Sequence, residues 1–175
     1  MQTAARATTV ETSGFFDPHA AGIQKPHPGR SRPQTSKPAD SGLYVLWLEL
    51  PCPARTTAGS LGLVALPPGL YAYVGSAQRR RSARIARHLQ PEKPLRWHID
   101  YIRPHARVVA VSLVDGTRDG ECRLAQQLTE TLGARVAVPR FGASDCRCPG
   151  HLLLCPPGTS LERECLAVGE LVRLA

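Results

Sequence analysis

The hydrophobic pattern sharpens abruptly at Gly42. From there to Leu50 the chain is apolar on both alternating faces, with Leu43, Val45 and Trp47 on one and Tyr44, Leu46, Leu48 and Leu50 on the other. Side chains in a strand alternate with period two, so a strand apolar on both faces must be covered on both sides. Pro51 and Pro53 end it. Leu61 to Leu66 reads as a short returning strand before the Pro67-Pro68-Gly69 turn, and Leu70 to Gly75 as a third strand with Tyr71 and Tyr73 on one face.

Helical periodicity follows. Ser76 is placed to cap a helix running to about Leu89, with Ile85 and Leu89 as its apolar seam and Pro91 limiting continuation. Arg107 to Val114 is a β-branched strand closed by Asp115-Gly116. Glu121 to Leu132 reads as a helix, because Leu124, Leu128 and Leu132 recur at four-residue spacing and Gly133 suits the C-cap. The Thr159-x-x-Glu162 capping pattern predicts a last helix over 161–174.

Residues 1–40 behave differently. They are rich in Thr, Ser, Ala and Pro, with Pro26, Pro28, Pro33 and Pro38 interspersed among Lys25, Arg30, Arg32 and Lys37. Such a stretch buries too little apolar surface to offset its ordering entropy, so it is expected to be a disordered basic tail ahead of one domain over 41–175. No apolar run approaches the about 18 residues that a membrane span requires. The net charge of +8 and pI near 9.6 favour polyanionic partners, since neutralised phosphates release condensed counterions. Six cysteines without an export pattern point to a reducing, cytoplasmic setting.

Four groups of residues can carry chemistry. Glu121 starts on the inward stripe of its helix, so its carboxylate needs a cation, an arginine or exposure at the helix end; the alternative is a first-turn acid favoured by the helix dipole. The segment after Gly75 carries Arg79, Arg80, Arg81, Arg84, Arg87 and His88, which can grip phosphate oxygens or form a solvated basic face. In Trp97 to Tyr101, taken as extended, His98 and Asp100 share one face, either as an acid/base pair or as buried structural groups. Cys146, Cys148, His151 and Cys155 could ligate zinc, but the Cys146-x-Cys148 gap is tighter than a usual knuckle. Packed reduced thiols are therefore expected, with zinc as the alternative.

Gly42-Leu43-Tyr44, Tyr73-Val74-Gly75, Arg84 and Glu121, in that order, resemble the GIY-YIG nuclease superfamily. Tyr71-Ala-Tyr73-Val-Gly75-Ser76-Ala77, Arg84-Ile-Ala-Arg87-His88, Trp97-His98-Ile99-Asp100-Tyr101 and Phe141-Gly142-x-Ser144-Asp145-Cys146-x-Cys148-x-x-His151-Leu152 resemble the branch of it sometimes fused to endonuclease III, over about residues 41–154. The resemblance implies a compact α/β domain with a small mixed three-stranded central sheet flanked by helices. It implies a metal-dependent endonuclease acting on nucleic acid, DNA in the first instance, with a link to DNA repair. Tyr44 or Tyr73 would orient or deprotonate the attacking water, Arg84 would stabilise the phosphorane, Glu121 would ligate Mg²⁺ or Mn²⁺, and His88 would join them. Arg79, Arg80, Arg81 and Arg87 would contact the nucleic acid. The alternatives are an inactive nucleic-acid-binding module of the same fold and a small zinc-stabilised interaction domain. The connection between the two tripeptides is longer than the family's short hairpin and contains an extra predicted strand.

Overall fold

The computed structural model describes residues 40–163 and 169–173. The expectations for the tail before Asp40 therefore lie outside the described residues. The first predicted strand forms as β1, Gly42–Leu50, and every residue of it but Glu49 is buried. Both faces are covered, as its two-sided apolar pattern requires. β1 pairs antiparallel with β4, Gly69–Ala77, on one side and with β5, Arg107–Val114, on the other.

The sheet is larger than expected. Beyond β4 lie β7, Leu152–Leu154, and β6, Arg135–Val136; beyond β5 lies β8, Glu170–Arg173. The order is β6-β7-β4-β1-β5-β8 and every pairing is antiparallel, so the three-stranded mixed sheet is corrected to six antiparallel strands around a β4-β1-β5 centre. Short strands such as β6 and β7 are poorly visible to periodicity, because two or three residues cannot display an alternation.

The insertion after β1 makes its own ribbon. β2, Ala54–Thr57, pairs with β3, Leu63–Leu66, and neither joins the main sheet. One sheet face packs Tyr44, Leu46, Leu48, Tyr71 and Tyr73 against Ile99, Ile102 and Phe141, with Ile85 and Leu89 at its border. Those residues bring α1, Arg81–Leu89, and α2, His98–Ile102, onto that face. The other face packs Leu43, Val45, Trp47, Ala72 and Val74 against Leu124, Ala125 and Leu128 of α3, Gly120–Leu132, with Gly133 as its left-handed C-cap. Buried Trp47 donates its indole N–H to Ser112 Oγ at 3.0 Å.

Three boundaries differ from the sequence expectation. Ser76 is a buried strand residue rather than a helix cap, because β4 continues to Ala77. The start of α1 is instead held by Asp40, whose carboxylate accepts from the Ser82 amide and hydroxyl, both at 2.8 Å, and whose carbonyl accepts from the Arg81 amide. Asp40 thus belongs to the domain, not the tail. Residues 98–102 are helical rather than extended. Finally, residues 161–163 do start a helix but Glu170–Arg173 is β8, so the helix predicted over 161–174 cannot run its full length; Gly169, a poor helix former, precedes the strand.

Candidate active site and metal cluster

The N-terminal end of β1, the C-terminal end of β4 and the first turn of α3 enclose a cleft of about 710 Å³. Tyr44, Tyr73, Arg84 and Glu121 all line it, together with Arg79, Arg96, Trp97, His98 and Arg118. The β1–β4 register explains the two tyrosines: Tyr44 stands opposite Gly75 and Leu46 opposite Tyr73, so both phenols project from one face as diagonal neighbours. Gly75 is required there, since a Cβ would lie 2.5 Å from the Tyr44 hydroxyl.

Tyr44 and His88 are hydrogen-bonded at 2.9 Å between Oη and Nε2. Burial pushes the Tyr44 phenol well above its usual range, partly offset by the nearby Arg84 guanidinium, and burial pushes Tyr73 up in the same direction. Burial, reinforced by Lys93, lowers His88 to about 3. At neutral pH the trio is therefore two phenols and a neutral imidazole. Arg84, half-buried on α1, lies with its guanidinium carbon 4.8 Å from the centre of the Trp97 ring.

His98 sits in the cleft wall, where its Nδ1 accepts the Gly142 amide at 3.3 Å; the ring proton of the neutral form is then on Nε2. Burial lowers its pKa. His98 and Asp100 do not pair, because a helical turn sends them to different surroundings. Asp100 is buried and accepts from both Arg87 terminal nitrogens, at 3.1 and 2.9 Å, and from the Arg96 and Trp97 amides, with Lys93 Nζ at 3.3 Å. Burial alone would raise its pKa, yet these donors hold it down at about 2.

These contacts revise the expected nucleic-acid surface. Arg87 is taken up by Asp100, by the Pro94 carbonyl at 2.7 Å and by stacking on Trp97. Arg81 ties the sheet end together by donating to the Leu43 and Val114 carbonyls at 3.2 and 3.1 Å. Both guanidiniums are thus engaged within the fold. Arg79 remains at the cleft and Arg80 is exposed with left-handed backbone, φ 54°. Arg96 and Arg118 were not singled out in the sequence; Arg118 pairs with Asp145 at the rim.

The thiols also rearrange. Cys155 packs in the α3 side of the core, near the Gly133 end of that helix, and is not among the metal-site residues. Its place is taken by Cys122, in the first turn of α3. The ligand atoms of Cys122, Cys146, Cys148 and His151 lie within 4.8 Å of one another, a donor set that could hold a metal ion and favours zinc. Nothing in the local pattern around Cys122 announced this, because its proximity to residues 146–151 is created only by the packing of α3 against the sheet.

A larger depression of about 1130 Å³ lies at the other end of β1, but its Glu49 and Arg107 are paired with each other and it gathers no comparable set of titratable groups. The cleft thus gathers two phenols, basic walls and the Glu121 and Asp145 carboxylates on a small antiparallel α/β domain. The chain belongs to the family described as Domain of unknown function DUF123, whose pattern matches residues 43–174. Neither a curated protein nor a solved structure is matched by the chain. Among the described residues no helix is long and apolar enough to cross a membrane.

Proposed function

We propose that this chain is a GIY-YIG-like endonuclease that hydrolyses phosphodiester bonds in nucleic acid, with DNA as the substrate and repair as the setting the resemblance suggests. The convergence of Tyr44, Tyr73, Arg84 and Glu121 on one basic cleft is the observation that carries this reading. Arg84 would neutralise charge on the phosphorane, since a guanidinium can present two donors to two phosphoryl oxygens. Tyr44, neutral and fixed by His88, is suited to orienting the attacking water rather than to removing its proton as a phenolate. Arg79, Arg96 and Arg118 would hold the flanking backbone.

Glu121 is the inner carboxylate of the cleft, Asp145 being paired with Arg118. This fits a Mg²⁺ or Mn²⁺ ion held by one protein carboxylate and completed by water and substrate, a usual mode for Mg²⁺. When bound, such an ion supplies a Lewis acid for a phosphoryl oxygen.

The raised pKa of both tyrosines favours one rival reading, a nucleic-acid-binding module without cleavage. Incubating the protein with damaged, branched and single-stranded DNA, with and without added Mg²⁺, separates the two. Mg²⁺-dependent cleavage that Arg84→Ala abolishes while binding persists supports the nuclease; binding without cleavage of any substrate supports the module.

A further inference from the structure

We propose that Cys122, Cys146, Cys148 and His151 bind one zinc ion in a closed Cys₃His site, and that Glu121 is the outer partner of its histidine, joining the zinc site to the cleft. The distances suit zinc. In a tetrahedral site with Zn–S bonds of about 2.3 Å, ligand atoms sit about 3.4 to 3.8 Å apart. His151 Nε2 lies 3.7 Å from Cys122 Sγ, 3.7 Å from Cys146 Sγ and 2.8 Å from Cys148 Sγ, and the last two sulfurs are 2.9 Å apart. All four ligand atoms lie within 4.8 Å of one another, and the two short contacts both involve Cys148, whose sulfur would move outward by under about 1 Å to reach the tetrahedral spacing.

The frame around the cluster is built. The His151 amide donates to the Phe141 carbonyl at 2.8 Å, and the His151 carbonyl accepts from Val74 of β4 at 2.9 Å, so the backbone that carries the ring is tied to the sheet. Arg140 donates through one terminal nitrogen to the carbonyls of Cys146 and Cys148, at 2.5 and 3.3 Å. Three thiolates and Zn²⁺ leave one net negative charge, and the Arg140 guanidinium stands beside the loop that carries it.

The other face of His151 supplies the link. Its side chain is buried, and Nδ1 has Glu121 Oε2 3.3 Å away without the alignment of a hydrogen bond. A metal on Nε2 forces the ring proton onto Nδ1, which then becomes a donor facing that carboxylate. Glu121 and Cys122 are adjacent in the first turn of α3, so one helix end delivers a thiolate to the zinc and a carboxylate to its histidine. With four protein ligands the site has no open position for water, and the zinc is structural rather than hydrolytic.

This inference stands independently of the nuclease reading, and its readout is metal binding rather than cleavage. The full chain, purified under reducing conditions without chelator, is expected to carry about one zinc, retained in Cys155→Ala and lost in Cys122→Ala and Cys148→Ala. Replacing zinc with Co²⁺ in the wild-type chain should give thiolate-to-metal charge-transfer absorption of three-sulfur intensity, unchanged in Cys155→Ala, which counts the thiolate ligands even where a variant of the cluster fails to fold. Chelator competition should show Glu121→Gln binding zinc about 10- to 100-fold more weakly at unchanged stoichiometry. Metal-free protein that takes up no zinc or Co²⁺, a Cys146–Cys148 disulfide seen by mass under the same conditions, or full zinc in Cys122→Ala overturns the site. Wild-type zinc affinity in Glu121→Gln overturns the link.

Discussion

Tyr44 Oη and His88 Nε2 are joined by a 2.9 Å hydrogen bond in which both residues are almost wholly buried. Among the described residues His88 Nδ1 has no partner, so this bond is the one ring hydrogen bond His88 makes there. Removing the hydroxyl would leave a buried imidazole unsatisfied at both nitrogens, which costs about 1–3 kcal/mol. Tyr44→Phe is therefore expected to lower unfolding free energy by about that amount in urea titration. Tyr44→Phe combined with His88→Leu should recover part of the loss, as coupled neighbours do. Strict additivity of the two changes would show that the contact contributes nothing as a pair.

The same histidine predicts a pH dependence. Burial moves His88 from 6.5 in the unfolded chain to about 3 in the folded one. The folded state then binds fewer protons than the unfolded state within that window, so stability is full above about pH 6.5 and declines as pH falls toward 3. His88→Gln, which keeps a hydrogen-bonding partner for Tyr44 but does not titrate, should decline less steeply across the window. Parallel stability–pH curves for the two proteins would mean that His88 is protonated in the fold.

Arg87 distinguishes structural from nucleic-acid-binding arginines. It bonds Asp100 through two nitrogens, and the carboxylate is buried. Arg87→Ala is expected to cost about 2–3 kcal/mol of stability, because a buried carboxylate loses its bidentate donor, with DNA affinity nearly unchanged in the folded fraction. Thermal melting and a binding isotherm on the same preparation measure both. A stable variant that binds DNA weakly would return Arg87 to the interface.

How much of this was legible depends on the range of the signal. The two-sided apolar run of β1, the β-branched run of β5 and the four-residue leucine spacing of α3 are local patterns, and all three elements formed where they predicted. Tyr44 and Tyr73 were also accessible, because strand alternation fixes the face a residue points to once the pairing is known. Whether an arginine faces solvent or a buried carboxylate is not local: Arg84 and Arg87 are one helical turn apart on α1, yet one reaches the cleft and the other reaches Asp100. Cys122 and Cys155 exchanged roles for the same reason. A thiol's partners are set by where its element carries it: the first turn of α3 brings Cys122 to the cluster, whereas Cys155, just after β7, packs near the Gly133 end of that helix.

The sharpest test of the cleft separates charge from position at Arg84. An arginine that only attracts a polyanion can be replaced by lysine with modest loss, because both bring one positive charge to a screened backbone. A guanidinium that grips two phosphoryl oxygens cannot, since an ammonium lacks the planar fork. Arg84 is half-buried beside Tyr44 and lies against Trp97, which restrict where its fork can point, whereas Arg79 is exposed at the cleft mouth. Arg84→Lys is therefore expected to lower the single-turnover cleavage rate by about 10²-fold or more, the scale of losing one transition-state donor, with little change in DNA affinity. Arg79→Ala should do the reverse, weakening binding and reducing the slope of log affinity against log salt by about one, while bound DNA is cut at the normal rate. If both substitutions weaken affinity alike and leave the cleavage of bound DNA intact, Arg84 is a backbone contact and the transition-state role assigned to it is wrong.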